Sequence, residues 1–180
     1  MRLALHHPRL AFLLASGAVS YGEVLRVLVK NDIGFLRLHA SQVLDTSNFL
    51  KLSGKEMANV LDEITPAKQE SSWRMLDRWH SFFYVIVRAC SPSLVIETGV
   101  LYGHSSAAIL AALEDNGDGR LTSIDLPQKE HQNIIVGRQH VQVGLDSNVL
   151  SIGCAVPLDL HSRWNLELGN SLELLPKILG

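Results

Sequence analysis

The spacing of apolar positions changes its period close to residue 91, and that change divides the chain. Before it the signals are helical. "SYGE" at 20–23 and "SGKE" at 53–56 are both S-x-x-E boxes, in which serine and glutamate satisfy each other's free backbone amides and so set a helix start. From Ser72 onward apolar side chains fall at Trp73, Leu76, Trp79, Phe83, Ile86 and Cys90, a spacing of three or four that predicts one helix with a core-facing stripe. Ser91-Pro92 should stop it.

Beyond Pro92 the pattern is that of alternating strands and helices. "LVIE" is a short buried-strand run, "SSAAILAALED" a helix, "NGDG" a turn, and "RLTSIDLP" a second strand closed by an acid and a proline. Strand, helix and strand at this spacing predict a βαβ unit, with parallel strands and a right-handed crossover. Residues 128–162 are mixed and predict no particular element; "RWNLELGNS" at 163–171 reads as a third strand and "LELLPKIL" as the start of another helix. The expected organisation is a helical region over 1–90 followed by a partial Rossmann-like α/β domain over 91–180.

Composition narrows the partners. A chain of 180 residues that is 47% hydrophobic can bury a core of ordinary size. The formal charge of -2 supplies no basic field for nucleic acid, and the eight histidines are scattered, so a small molecule is the expected partner. Cys90 and Cys154 form no CxxC pair, which predicts two reduced, buried thiols and no zinc site or disulfide framework. The stretch "RLAFLLASGA" at 9–18 imitates a secretory signal, but its apolar patch is short and "HHP" interrupts the approach. No apolar run approaches the ~18–20 residues of a membrane span, and a cytoplasmic protein is expected.

The chemistry gathers around "SLVIETGVLYGHSS" at 93–106. In open α/β sheets ligands sit beyond the carboxyl ends of the strands, where Glu97, Thr98, Gly99, Gly103, Ser105 and Asp125 are expected to lie. The G-x-x-x-G spacing is not that of dinucleotide folds, and an acid two residues before the first glycine would sit poorly beside a pyrophosphate; Glu97 calls instead for a cationic ligand part. Asp125, at the end of the second strand, is placed to accept hydrogen bonds from the hydroxyls of a ribose. The two glycines would let the backbone approach a ligand, and the helix start at Ser105 and Ser106 would suit a carboxylate. S-adenosylmethionine carries all of these groups.

"VIETGVLYGHSSAAIL", "LTSIDLP" and "GCAVPLDLHSRWNLELGNSLELLPKIL" together resemble the first half of a class I S-adenosylmethionine-dependent methyltransferase, closest to the family-24 type, some relatives of which act on sugars or antibiotics. The resemblance implies that Glu97, Gly99 and Gly103 form the methionine-side loop, that Asp125 is the ribose acid, and that Asn170 and Ser171 contact adenine, with Asn170 where relatives often carry Asp. It implies a Rossmann-like fold truncated after the third parallel strand, since the strands ordered 3-2-1 are represented and the fourth is not. In relatives, residues after that fourth strand face the methyl acceptor and in some members bind a metal. The first strand should then expose an apolar edge, to be covered by the rest of a longer protein, by another copy or by a partner chain.

Three function classes stay open: a methyltransferase acting on a hydroxyl of a small molecule or sugar, a non-catalytic remnant or association module retaining half of the fold, and a nucleotide-binding oxidoreductase. "EDNGDGRLTSID" at 114–125 mimics a calcium loop, but its first and last acids are exchanged and the second helix is missing, so a helix-to-strand turn is expected. His104 sits in the glycine loop, and His131 and His140 follow the second strand without a carboxylate partner that would make either a base.

Overall fold

The computed structural model describes residues 13, 15–43, 45–65, 75–127, 133–136, 139–142 and 151–180. A 23-residue helix, α1 (Tyr21–Val43), opens at the first capping box. Glu23 accepts from the backbone N–H of Ser20 at 2.6 Å and from its hydroxyl at 2.8 Å, and returns its own N–H to Ser20 Oγ. A single turn, α2 (Thr46–Phe49), leads to α3 (Gly54–Ile64), where Ser53 and Glu56 close the second box reciprocally. Both predicted starts are present.

The next helix, α4 (Arg78–Cys90), begins later than its apolar spacing suggested. Ser72 and Trp73 lie outside the described residues, and Met75–Asp77 are not helical. Two carboxylates account for the late start. The buried Asp32 of α1 accepts from the N–H groups of Met75 at 2.6 Å and Leu76 at 3.0 Å, tying that segment to α1 outside the helix. Asp77 then caps the helix by accepting from Trp79 and His80. The fully buried positions of the helix are Ser81, Tyr84, Val85 and Val87; of the expected stripe Leu76 is buried and Phe83 and Ile86 pack half-buried against the same core, whereas Trp79 is 69% exposed and Cys90 is exposed too. Of the two thiols only Cys154 is buried, so that expectation is corrected for Cys90. Ser91, in the left-handed region with φ 44°, ends the helix before Pro92 as anticipated.

The α/β part follows its predicted grammar. Strand β1 (Leu94–Thr98), helix α5 (His104–Asn116) and strand β2 (Arg120–Asp125) form a βαβ unit with parallel strands in the register Leu94↔Arg120 to Thr98↔Ile124. Helix α5 is apolar all round and buried from Ser106 to Leu113, as a helix without a polar face must be. The stretch with no predicted element contains an antiparallel hairpin, β3 (Asn133–Val136) with β4 (Gln139–Gln142). After a short 3-10 helix (Leu158–Arg163), strand β5 (Trp164–Leu168) joins β2 in parallel, and α6 (Ser171–Leu179) follows.

The sheet order is β1-β2-β5, so among the described residues β1 has one unpaired edge, and its Leu94 is 46% exposed. Leu25, Val29 and Leu36 of α1, Ile64 of α3, Val85 of α4, Leu110 and Leu113 of α5 and Leu121 of β2 share one core, through which the helical layer supports the sheet. No described helix is long and apolar enough to cross a membrane.

The turn between α5 and β2 fixes how far β2 slides along β1. Gly119 has φ +89°, and a Cβ there would lie 2.4 Å from the carbonyl oxygen of Pro92 and 2.7 Å from Leu113, whereas Gly117, at φ +76°, has open space. Gly119→Ala should therefore cost about 2–4 kcal/mol, from strain plus overpacking. Gly117→Ala should cost only about 1 kcal/mol, from the backbone conformation alone. Urea denaturation of the two variants checks the difference; equal losses would show that the contact with Pro92 does not hold the turn.

Candidate functional site

Alternation along a strand puts every second side chain on one face, and the register sets Glu97 of β1 opposite Ser123 of β2. Glu97 meets the start of α5 there. Its Oε1 accepts from the Ser105 hydroxyl at 2.6 Å, and its Oε2 accepts from Ser106 at 2.6 Å and Ser123 at 2.8 Å. Burying a carboxylate is costly unless it is hydrogen-bonded, and these three hydroxyls meet that requirement. A carboxylate has about four acceptor positions, so about one remains.

Asp125, two residues after Ser123 and on the same side of β2, is anchored in a matching way. Its Oδ2 accepts from the backbone N–H groups of Val100 and Leu101, both at 2.9 Å, and its Oδ1 from Leu126 at 2.8 Å. The glycine loop is thus bound to the second acid. Gly99 donates to the carbonyl of Ile124 at 2.9 Å, and Leu101 takes φ 53°, a conformation disfavoured for a side chain of its size.

The two glycines of the loop have different tasks. At Gly99, φ +81°, a Cβ would meet nothing within 4 Å, which leaves the open approach that a ligand needs. At Gly103, φ +88°, a Cβ would come 2.7 Å from Val156 and 3.0 Å from Gly153. Its bareness serves internal packing. The segment pressing on it is fixed by Gly153 N–H to the Leu101 carbonyl at 2.8 Å and Ala155 N–H to that of Tyr102 at 2.9 Å, and Arg26 of α1 grips the Val156 carbonyl from behind at 3.2 Å.

No side chain caps the amino end of α5. Because the Ser105 and Ser106 hydroxyls are committed to Glu97, what this helix start offers an anion is its backbone N–H groups. Thr98 is exposed at the tip of β1. Asn170 caps α6 by accepting from Leu172 N–H at 3.0 Å, with Ser171 as the first helical residue beyond β5. Sequence reasoning placed Glu97, Gly99 and Asp125 in one neighbourhood but did not find Ser123 or Trp164. Ser123 had a signal, its two-residue offset from Asp125.

His104 turns away into a small aromatic cluster, with ring centroids 6.0 Å from His80 and 5.9 Å from Tyr102. Its Nε2 is buried without a hydrogen-bond partner among the described residues. Burial, with the neighbouring His80, pushes its pKa down to about 4, and burial lowers that of His80 as well. His131 lies outside the described residues, and of His140 only the backbone, in β4, is described. The calcium-like spacing is a helix, turn and strand whose oxygens diverge: Glu114 pairs with Arg163, Asp115 with Arg37, and Asn116 accepts from Arg88. Two hollows lie away from the strand tips, one of about 260 Å³ lined by Arg37, Tyr84, Arg88 and Asp115, the other of about 340 Å³ lined by Met57, Leu61, Trp79 and Phe82.

A parallel α/β sheet with a glycine loop and two anchored acids at the carboxyl ends of neighbouring strands is a Rossmann-like α/β architecture. Residues 96–179 match the model of methyltransferase family 24, described as a methyltransferase domain, which supports a class I methyltransferase domain over this part of the chain. No curated protein and no solved structure matches the chain.

The buried histidine generates a pH dependence. The unfolded chain binds a proton on His104 near its ordinary value of 6.5, while the folded protein resists it down to about 4. Stability is therefore full above pH ~6.5 and lost as pH falls toward ~4, and His80 adds in the same direction. Thermal denaturation between those values should show a falling midpoint that His104→Gln flattens. An equal slope in wild type and variant would place His104 in water.

Proposed function

We propose that this chain binds S-adenosylmethionine and serves transfer of its methyl group to a hydroxyl of a small molecule or sugar. The observation that carries this reading is the pair of anchored carboxylates, Glu97 and Asp125, at the ends of adjacent strands, with the open side of Gly99 at the bend. Each acid holds three hydrogen bonds and keeps about one acceptor position in reserve. The reserve on Glu97 suits the cationic methionine end, and that on Asp125 suits a ribose hydroxyl. The uncapped amino end of α5 suits the methionine carboxylate. Asn170 and Ser171 stand beyond β5 for the adenine edge, although capping α6 occupies the Asn170 carbonyl oxygen and leaves its NH2 as the group to offer. The residues fit the cofactor.

When bound, S-adenosylmethionine supplies a methyl group already activated by its sulfonium. The protein's work is then to orient the donor and keep water from it. Class I methyltransferases use this cofactor generally, which supports the reading; the choice of a hydroxyl acceptor rests on the likeness to family 24.

A second reading, an association module, is favoured by the edge of β1 that is unpaired among the described residues. Calorimetric titration separates the two. The cofactor reading predicts saturable binding of S-adenosylmethionine and none of NAD, with Asp125→Ala weakening the former by about 1–3 kcal/mol. An unchanged affinity would remove Asp125 from the site, and no binding at all would favour the association module.

A further inference from the structure

Glu97 is held by three serine hydroxyls, and one of them is itself held. The indole Nε1 of Trp164, the first residue of β5, donates to Ser123 Oγ at 2.9 Å, and Ser123 donates to Glu97 Oε2 at 2.8 Å. The direction of this chain is fixed by chemistry. An indole N–H can only donate, so it occupies a lone pair of the serine oxygen and turns the serine's single proton toward the carboxylate. Without that donor the hydroxyl is free to rotate. Linked hydrogen bonds also polarise one another, which strengthens the one that reaches Glu97.

The same ring braces the other half of the cradle. A Cβ on Gly153 would lie 2.2 Å from Trp164 Cη2, so the ring is seated on the backbone of Gly153. Gly153 in turn donates to the Leu101 carbonyl and packs beneath Gly103. One side chain from the third strand thus touches both supports, the serine that aims at the acid and the glycine that backs the loop.

We propose that Trp164 is a positioning residue of the cofactor cradle, acting through Ser123 on the carboxylate of Glu97 and through Gly153 on the glycine loop. The proposal rests on the methyltransferase reading above. It separates from ordinary core packing because the Ser123 branch ends on the group that meets the cationic methionine end, and a nucleoside lacking that end should not sense it.

The test compares S-adenosylmethionine with 5′-methylthioadenosine, which keeps ribose and adenine but has no amino acid and no sulfonium. Calorimetry on wild type, Trp164→Phe, Ser123→Ala and the double variant should show S-adenosylmethionine binding weakened about fivefold by either single change, the size of one modest hydrogen bond. Methylthioadenosine should weaken less than about twofold. In the Ser123→Ala background Trp164→Phe should weaken S-adenosylmethionine binding by clearly less than it does in wild type, since the Ser123 link is already cut and only the contact with Gly153 is left to lose. Equal weakening of both ligands, or fully additive losses, would make Trp164 a packing residue and overturn the proposal while leaving the cofactor reading intact.

If wild type binds neither nucleoside, the cofactor reading fails and the proposal falls with it. An independent readout needs no ligand: the indole N–H resonance lost in Trp164→Phe should be protected from exchange in wild type and should shift in Ser123→Ala. An exchange-labile resonance unmoved by that change would show that the hydrogen bond is absent.

Discussion

A carboxylate half out of water at the meeting point of two strands and a helix must be satisfied where it stands. Glu97 meets that demand with hydroxyls from Ser105 and Ser106 at the head of α5 and from Ser123 in β2. The requirement ties three elements to one point. It also explains why the helix start carries two serines without using either as a cap: their hydroxyls are bonded to the acid, and no side chain caps the backbone amides. Asp125 repeats the arrangement with amides in place of hydroxyls, so the bend between the strands is shaped by the acid beside it. Charges already aligned before a ligand arrives lose little on reorganisation, and under the proposed function that is how the site would select a cation and a ribose.

The helices preceding the sheet belong to this arrangement mechanically. Arg26 of α1 holds the carbonyl of Val156, whose side chain presses on Gly103, and Asp32 of the same helix fixes the segment that enters α4. α4 then brings His80 against His104 at the foot of the loop. The amino-terminal layer thus contacts the segments that pack against the glycine loop.

What was legible in the sequence was what is local. Two S-x-x-E boxes start helices because the partners are three residues apart, and the strand, helix and strand of the βαβ unit follow from period and length. The start of α4 differs from its apolar spacing because its signal is an aspartate cap with histidine in the glutamate position of the box, and because Asp32, far off in sequence, binds the amides of the preceding residues. Gly103 was read as bare for a ligand, but only the fold brings Val156 and Gly153 beneath it. The destinations of the serine hydroxyls could not be read either, since a rotamer and not a spacing decides whether serine caps its own helix or reaches a neighbouring strand. Trp164 was legible as part of a strand, whereas its reach across to Ser123 depends on the order β1-β2-β5.

The most direct test of the cradle is amide chemical-shift mapping of the isotope-labelled chain during titration with S-adenosylmethionine. Shifts concentrated at Gly99, Val100, Leu101, Ser105 and Leu126, with the amides around the Arg37 and Tyr84 hollow unmoved, are the predicted result. Saturable shifts that avoid the glycine loop and gather at that hollow or along the β1 edge would contradict it.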